Sequence, residues 1–415
     1  MYGLARPAEQ WERSFLPARV DGYDPDVVTR LIGSGELVWV GGHTAKPDEA
    51  GNLSTVRFLR RGTARAWIAS SEGQPLSEHA QQVLGVLQRD GASFFDEIMS
   101  GTSLTTRQLR DALREVVGAG LVTNDTLDAL RSVVRWRPMV SPRDRTQPDP
   151  TKWLPADFTP SSNRYVVQRR PNLRRLPKWK RPDHGGADDS AAWPGRWSLV
   201  RVSRVLGPEV DESVWAEAIA RQWLDRYGVV SREMWRRERP LISWRSIYRE
   251  LKRLEFRGEV RRGYFVRGLG GAQFAVPEAV EMLRNPVSSG DGSAVVVMNV
   301  TDPANVYTLP MPGDAARDPF VKPKSRGALL VTIDGIVVMM AERRGERILI
   351  RPGTSDADVT RAAAALVAHL GEQTASDLTV ETIDGQPASG SAHLDAFRAA
   401  GFRRGTVGLR YYRTV

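Results

Sequence analysis

The succession of apolar stripes at 211–267 constrains the fold more than any other feature of this sequence. Three stripes with helical spacing follow one another there, and Ser231 and Ser243 stand where the second and third helices would begin, which suits serine as an N-cap residue. The third helix is predicted over 244–256, and the basic stretch 257–266 after it has the composition of two short strands. Three short helices followed by a strand pair predict a winged helix, whose third helix is the one that enters the DNA major groove.

A similar order of predicted elements occurs upstream, at 77–135. Apolar residues form three short helical stripes there, and a serine- and threonine-rich cap region precedes the third stripe. Gly118 and Gly120 end the third helix, and a strand follows. We therefore predict a first winged helix in this region. The exposed face of its third helix is expected to carry Arg107, Gln108, Arg110 and Arg114.

Both ends of the chain have strand-like patterns. Near the start, alternating runs at 36–40 and 53–59 with glycines between them predict a hairpin. Apolar runs predict four strands beyond residue 292, at 294–298, 328–333, 336–340 and 347–350. Asp334–Gly335 between two of them is a type I′ turn signal, and a helix over 357–370 follows. Several strands with tight turns favour a small β-barrel or sandwich.

The chain is basic, and this charge narrows the choice of partner. Its 415 residues include 59 Lys and Arg against 49 Asp and Glu, a net charge of +10, which favours nucleic acid. It has no cysteine, and its five histidines lack ligand spacing, so no metal site is expected. Neither a run of 18 apolar residues nor a secretory leader occurs in the sequence, so we expect a cytoplasmic location and no membrane contact.

The densest positive charge lies in a proline-rich connector predicted over 137–208. Its segment 163–182 has eight basic residues and no acidic one. Such a run would neutralise several phosphates, and an aromatic ring within it can stack on an unpaired base. A solvated arm packed along an acidic neighbour or another protomer is the alternative. The candidate DNA contacts in this segment are Arg164, Arg169, Arg170, Arg174, Arg175, Lys178, Trp179 and Lys180.

The third helix of the downstream winged helix provides a second candidate surface. Arg245, Arg249 and Lys252 share one helix face because they are three or four residues apart. Arg261 and Arg262 add charge in the wing. A role in protein assembly is the alternative to DNA contact, since five acidic residues lie close enough in sequence to neutralise this charge. These are Glu233, Glu238, Glu250, Glu255 and Glu259.

The stretch RGLGGAQ at 267–273 superficially resembles a phosphate-binding loop. A dinucleotide fingerprint needs a glycine at the sixth position, which is Gln273 here. The Gly-Lys-Ser or Gly-Lys-Thr of a Walker loop is absent from the whole chain. We therefore interpret these glycines as a chain reversal between the wing and a short helix that begins at Pro277.

Several stretches resemble the large helicase-related (Lhr) family. They are 263–280 (GYFVRGLGGAQFAVPEAV), Thr301–Tyr307 (TDPANVY), 335–343, the closing elements AGFRR and GLR, and LPAR at 16–19. The resemblance implies the C-terminal region of a bacterial Lhr protein, without the ATPase motor that precedes it in the family. It implies an α+β fold with tandem winged helices and then a small β-barrel, similar to the winged-helix DNA glycosylases that unhook crosslinks.

These observations divide the chain into five predicted segments. They are a β-containing segment (1–75), a winged helix (76–136), the basic connector (137–208), a second winged helix (209–286) and a β-barrel with a closing α/β segment (287–415). Within the last segment, Asn299, Asp302 and Asn305 are candidates for the rim of a site, although a structural Asx-turn explains them more simply.

The resemblance also sets out the functional expectations. The complete proteins are ATP-dependent 3′–5′ DNA helicases of DNA repair, which use ATP and Mg²⁺; no cofactor is expected in this chain. Its expected partners are single-stranded or duplex DNA, the helicase core of the same polypeptide and further copies of itself. The Gln-x-Gln pair of the related glycosylases is absent, and no acidic residue follows Asp395, so no catalytic residue carries over. Three hypotheses remain: a DNA-binding and oligomerisation module, a DNA glycosylase-like enzyme, or a purely structural assembly module.

Overall fold

The N-terminal segment consists of a helical turn, a helix and a hairpin. The structure, a computed structural model, describes residues 1–42, 55–68, 75–136, 192–285, 294–309, 320, 327–373 and 377–412. After the turn Trp11–Phe15, helix α1 (Pro25–Gly33) begins at a proline and is capped by Asp24. Strands β1 (Leu37–Gly42) and β2 (Thr55–Arg60) then pair antiparallel. The predicted hairpin is confirmed.

The first winged helix is assembled from two separate parts of the sequence. Its elements are α2 (Glu78–Arg89), β3 (Ser93–Phe94), α3 (Phe95–Ser100), α4 (Thr106–Gly118), β4 (Val122–Asn124), α5 (Leu127–Arg135) and β5 (Arg196–Leu199). Strand β5 lies between β3 and β4 in the sheet and pairs antiparallel with both. This central strand comes from the range predicted as a connector, 137–208. The unit is therefore completed only by residues far downstream of α5.

The expected exposed face of α4 is buried at Arg110 and Arg114 and half-buried at Arg107 and Gln108, which corrects the sequence-based prediction. Arg110 and Arg114 are each only 2% exposed. The Arg110 guanidinium carbon lies 5.0 Å from the centre of the Trp136 ring and 5.9 Å from that of Trp193. These two tryptophans come from the end of α5 and from just before β5, so they cover the helix from outside. Trp136 also donates a 2.7 Å hydrogen bond from its indole N–H to Asp111.

The second winged helix follows in continuous sequence. After a short helix α6 (Ser203–Leu206), its elements are α7 (Glu212–Tyr227), β6 (Val229–Val230), α8 (Arg232–Glu238), α9 (Trp244–Phe256), β7 (Arg261–Gly263), β8 (Gln273–Ala275) and α10 (Pro277–Arg284). The predicted third helix and the short proline-initiated helix are confirmed. The strand order is β6-β8-β7, so β8 is the return strand of the wing. The glycines at 268–271 form the loop of the wing itself, rather than a link between a finished wing and a helix.

The C-terminal unit packs helices against two sheets. It contains β9 (Val295–Asn299), β10 (Leu329–Ile333), β11 (Ile336–Glu342), β12 (Arg347–Ile350), α11 (Asp356–Gln373), β13 (Leu378–Val380), β14 (Thr382–Ile383), β15 (Gln386–Pro387), α12 (Leu394–Ala399), β16 (Arg403–Arg404) and β17 (Leu409–Tyr411). Six strands lie in the order β15-β14-β12-β11-β10-β9, and three more in the order β13-β17-β16. Over the described ranges neither sheet closes, so the predicted β-barrel is not found there. The type I′ hairpin is confirmed, with φ of 50° at Asp334 and 80° at Gly335.

The β1–β2 hairpin contributes to two hydrophobic cores at once. Trp39 and Phe58 belong to the core of the N-terminal segment and first winged helix. Val38, Val40 and Leu59 belong to the core of the second winged helix. Alternate side chains of a strand point to opposite faces, so the hairpin lies between the two winged helices. None of the helices in the described ranges has the length and apolarity required to span a bilayer.

Candidate nucleic-acid interface

The solvent-facing side of α9 is a row of basic side chains. Ser243 caps the helix by accepting a 3.2 Å hydrogen bond from the backbone N–H of Ser246. The apolar face is buried through Ile247, Leu251 and Leu254. On the opposite face, Arg245 and Arg249 are exposed and Lys252 is half-buried. The three predicted basic residues of this helix therefore lie together on one accessible surface, as their spacing indicates.

The nearby carboxylates bind other arginines and leave most of this row without an acidic partner. Glu250 pairs with Arg253 at 2.7 Å, and Glu259 pairs with Arg221 at 2.6 Å. Glu233 is 3.9 Å from Arg236, and Glu238 is buried in contact with Arg226 and Tyr227. Within the described part of the chain, Arg245 and Arg249 have no carboxylate within ion-pair distance. Their charge is therefore available to a phosphate.

The two predicted wing arginines differ in their surroundings. Arg262 is 3.2 Å from Glu255, and this ion pair joins the first wing strand to the end of α9. Arg261 is exposed, and no acidic partner is found for it among the described residues. An exposed ion pair contributes little free energy, so Arg262 can exchange its partner. We nevertheless expect Arg261 to contribute more to anion binding.

Two exposed aromatic residues, absent from the sequence-based prediction, lie beside these basic groups. Phe256 is 82% exposed at the end of α9, and Tyr264 is 86% exposed just after β7. The ammonium nitrogen of Lys252 is 5.9 Å from the centre of the Phe256 ring. Phe256 continues the basic face, because it follows Lys252 by four residues and Arg249 by seven. That position, outside the apolar stripe, is the signal that would have identified it.

The loop of the wing is held by one buried glutamine. Gln273 is fully buried, and its side-chain oxygen accepts hydrogen bonds from the backbone N–H groups of Phe265 (2.9 Å) and Val266 (2.8 Å). Its side-chain nitrogen donates to the carbonyl oxygens of Val266 (3.0 Å) and Leu269 (3.2 Å). Gln273 therefore fixes the beginning and the middle of the loop that carries the glycines of the RGLGGAQ stretch.

The upstream candidates lie outside the described residues. The eight predicted DNA contacts of the connector are Arg164, Arg169, Arg170, Arg174, Arg175, Lys178, Trp179 and Lys180. Their contribution remains a prediction from the sequence. The candidate interface among the described residues is therefore the α9–wing surface, which consists of Arg245, Arg249, Lys252, Phe256, Arg261, Arg262 and Tyr264.

The TDPAN motif has a structural role at another place in the molecule. The Asp302 carboxylate receives two hydrogen bonds from the Arg19 guanidinium, at 2.6 and 3.1 Å. The same carboxylate accepts from the backbone N–H of Ala304 at 2.7 Å, which forms an Asx-turn. Asn305 donates to the carbonyl of Val300 at 2.8 Å. The stretches LPAR and TDPAN therefore meet in space, and the Asx-turn interpretation is confirmed for Asp302.

Comparison with protein-family models identifies two regions of the chain. A winged-helix domain of the large helicase-related protein matches residues 209–295, and a second such domain model matches residues 1–61. The first match coincides with the α9–wing unit. The second covers the N-terminal segment, which the sequence pattern had indicated only as β-containing.

Two curated proteins match nearly the whole chain. "Lhr helicase/probable uracil glycosylase" from Mycolicibacterium smegmatis is 31% identical over 427 residues, covering 98% of this chain and 26% of that protein. "Lhr helicase/uracil glycosylase" from Escherichia coli is 25% identical over 417 residues, covering 98% and 25%. The chain thus spans about a quarter of the length of the curated relatives it matches. Among solved structures, the Streptomyces sahachiroi DNA glycosylase AlkZ gives a TM-score of 0.44 at 14% identity, over 91% of each chain.

Proposed function

Since this chain belongs to the large helicase-related family, we propose that it is a DNA-binding module of an Lhr-type DNA repair helicase. The ATP-dependent motor, which would use ATP and Mg²⁺, lies elsewhere in the complete protein. Self-association of the module and contact with the helicase core are further parts of the proposal. The observation that supports it most is the α9–wing surface, where Arg245, Arg249 and Arg261 are exposed and have no acidic partner among the described residues.

The charge arrangement supports contact with DNA phosphates. Arg245 and Arg249 are one helical turn apart on α9, the element that winged helices place against DNA. A guanidinium forms bidentate hydrogen bonds with phosphate oxygens, and each phosphate neutralised adds to the salt dependence of binding. Four carboxylates of the same unit, those of Glu233, Glu238, Glu250 and Glu259, are bound by arginines outside this surface, which reduces their repulsion of a polyanion.

The exposed aromatic rings indicate that the DNA includes unpaired bases. Phe256 and Tyr264 are almost fully exposed, although burying such a ring would be favourable. A base stacked on an aromatic ring contributes roughly 1–3 kcal/mol, and only an unpaired base offers its face. We therefore propose that the α9–wing surface prefers forked or single-stranded DNA to a blunt duplex, which suits a module attached to a helicase.

Fluorescence anisotropy across a salt series tests this function. Labelled single-stranded, forked and blunt duplex DNA are titrated with the wild-type chain and with the R245A/R249A double variant. Loss of two phosphate contacts should reduce the slope of log Kd against log salt by roughly 1.4–1.8 and weaken binding by about tenfold or more.

The chain provides a matched control for this experiment. Arg253 and Arg257 lie on or next to the same helix, and both are paired with glutamates. The R253A/R257A variant removes the same charge, but we expect less than a threefold loss of affinity. Equal losses in the two double variants, or no DNA binding by the wild type at low salt, would contradict a dedicated α9–wing contact and would favour an assembly role.

A second proposed function is base excision, which the names of the two curated relatives state for those proteins. Under this proposal the chain has a glycosylase-like activity on uracil in DNA. Incubation with a uracil-containing oligonucleotide, followed by alkaline cleavage of abasic sites, tests it. Strand cleavage that depends on uracil would support the enzyme, and an intact strand under conditions where the chain is bound would reject it.

A further inference from the structure

A group of half-buried arginines lies where the N-terminal segment meets the second winged helix. Two come from the start of the chain and from β2, and two from the last turns of α7 and α8. The junction arginines, as we call them, are Arg6, Arg57, Arg226 and Arg237. Arg226 donates to the backbone oxygen of Tyr2 at 2.5 Å, which joins α7 to the N-terminal segment. Arg226 and Arg237 also lie over one ring, that of Tyr227, with their guanidinium carbons 5.6 and 5.9 Å from its centre.

A single carboxylate, that of Glu238, faces this concentration of positive charge. Glu238 is 7% exposed. It pairs with Arg226, and it also accepts hydrogen bonds from the Tyr227 hydroxyl and, at 2.9 Å, from the Trp223 indole. Among the residues that the structure describes, no other carboxylate lies within ion-pair distance of a junction arginine. The site therefore has a surplus of positive charge.

Three N–H groups of the junction arginines have no hydrogen-bond acceptor. They belong to Nε of Arg6, Nε of Arg226 and Nη1 of Arg237, all of which are buried and without a partner in the described ranges. The Arg226 side chain as a whole is only 9% exposed. Buried donors are seldom left unpaired in proteins. A ligand with several acceptor oxygens would satisfy them.

The positive charges also oppose one another. Burial, together with the charges of Arg237 and Arg226, lowers the pKa of Arg6 to about 10. Burial lowers the pKa of Arg57 as well. A lowered pKa means that the charged form of the guanidinium is disfavoured at this place, and an anion bound beside it would reverse that effect.

Arg6 is the junction arginine best able to turn towards a ligand. Within the described part of the chain, its side chain makes one hydrogen bond, 3.0 Å from Nη1 to the carbonyl oxygen of the adjacent Ala5. Its backbone is held separately, by two hydrogen bonds with Val56 at 3.1 and 2.8 Å. The guanidinium can therefore change its direction while the chain stays in place.

We propose that the junction arginines bind a phosphate group. Arg6 and Arg237 direct their unpaired N–H groups to its oxygens, while Arg226 stays bound to Glu238. A phosphate suits the site better than a carboxylate does, because its oxygens accept from several directions and guanidinium groups bind them bidentately. The phosphate belongs either to a DNA strand, in which case the inference rests on the proposed DNA-binding function, or to a free compound in solution.

Arg6→Gln tests the site without breaking a side-chain contact between the units. The substitution removes the charge and leaves the backbone pairing with Val56 intact. Arg6→Lys restores the charge and should restore part of the binding. Arg13→Gln is the matched control, because Arg13 is exposed on the helical turn of the same segment and is not a junction arginine.

Thermal unfolding with inorganic phosphate, compared with acetate at equal ionic strength, detects binding of a free phosphate. We expect phosphate alone to raise the midpoint of the wild type and of R13Q saturably, by about 3 °C or more. The rise should be absent in R6Q and partial in R6K. Without phosphate, the midpoint of R6Q should equal or exceed that of the wild type, because one source of repulsion is gone.

Fluorescence anisotropy with labelled DNA across a salt series distinguishes the two sources of phosphate. If a DNA phosphate occupies the site, R6Q should reduce the slope of log Kd against log salt by about 0.7–0.9, and R13Q should not. An unchanged slope together with a lost phosphate response identifies a free compound as the ligand. If R6Q matches R13Q in both measurements, the proposal is overturned, and a lower midpoint of R6Q in that case would make Arg6 a structural residue only.

The outcomes also separate this inference from the proposed function. A saturable phosphate response that is lost in R6Q, in a chain that does not bind DNA, would leave the phosphate site standing and reject the DNA-binding module. DNA binding that is lost in R245A/R249A, with R6Q equal to R13Q in both measurements, would overturn the phosphate site alone.

Discussion

Gln273 shows how much of the wing depends on a single side chain. Its amide makes four hydrogen bonds to the loop that precedes it, while Gly268 and Gly271 take positive φ values of 84° and 74°. The glycines allow the loop to turn, and the glutamine fixes where it turns. The sequence showed that the sixth position of the motif was not glycine. It did not show that this glutamine folds back, because the partner of a buried amide depends on the path of the loop.

Replacing Gln273 by leucine should loosen the wing. The change leaves the N–H groups of Phe265 and Val266 without their acceptor, and we expect a loss of unfolding free energy of roughly 2 kcal/mol or more. Hydrogen exchange at these two amides is the direct measurement, since their protection should disappear. Gln81→Leu on the outer surface of α2 is the control and should leave both amides protected. Unchanged protection in Q273L would show that the loop is held by other contacts.

Among the residues predicted to contact DNA, the structure shows which side chains are accessible. Arg245 and Arg249 could be identified from spacing alone, because the apolar stripe of α9 fixes which side faces its own core. Phe256 was not predicted, since its apolar side chain indicates burial although its position continues the basic face. The pairing of Arg262 with Glu255 could not be foreseen, since it depends on how the wing strand approaches the helix end.

At the scale of elements, α4 and α9 occupy equivalent places in their units but present different surfaces. Both have amphipathic patterns with arginines opposite the apolar stripe. On α9 these arginines face solvent, whereas on α4 Trp136 and Trp193 cover Arg110. Periodicity identifies the face that a helix turns to its own core, but it does not reveal a second layer supplied from elsewhere in the chain. The prediction for Arg110 was wrong for this reason, and Arg114 is buried as well.

Removing one covering tryptophan should test this second layer. Trp193 is 7% exposed and lies 6.0 Å from Trp197 and 6.3 Å from both Phe95 and Trp136, measured between ring centres. Trp193→Ala should destabilise the first winged helix by about 3–5 kcal/mol, seen as a lower midpoint of thermal unfolding. DNA affinity below that midpoint should not change, because α9 is elsewhere.

The control for this experiment is Phe94→Ala. Phe94 is 45% exposed, so its removal should lower the midpoint far less than the loss of Trp193. A reduced DNA affinity in the folded W193A protein would indicate that α4 takes part in binding after all. Similar midpoints for W193A and F94A would show instead that the tryptophan layer contributes little stability.

At the scale of the whole molecule, contacts between distant segments hold the units together. Arg19 of the N-terminal segment binds Asp302 of the C-terminal unit, and Arg237 of the second winged helix donates to the carbonyl oxygens of Asp302 and Pro303 at 3.3 and 3.1 Å. Local patterns predicted the helices of both winged helices, since helical periodicity depends on nearby residues. They could not predict β5 as the central strand of the first unit, because strand pairing depends on partners far apart in sequence.

Asp302 provides a test of this connection. Asp302→Ala removes both the ion pair and the Asx-turn, leaving the Arg19 charge without its partner, and should reduce the free energy of unfolding by about 3 kcal/mol. Asp302→Asn keeps the side-chain acceptor of the turn and should lose less. Urea denaturation measures both. Equal losses of unfolding free energy in D302A and D302N would show that the ion pair with Arg19 accounts for the whole effect. No loss in D302A would show that packing alone holds the N-terminal segment against the C-terminal unit.

The β1–β2 hairpin has a consequence for how such a protein can evolve. Because its two faces complete two different cores, neither winged helix can be inherited alone with its hydrophobic interior intact. A recombination event that transplanted only the α9 unit would leave its core without Val38, Val40 and Leu59, and would expose the same three side chains on the hairpin that stays behind. The smallest segment that gene fusion or deletion can move without this defect includes both winged helices and the hairpin between them.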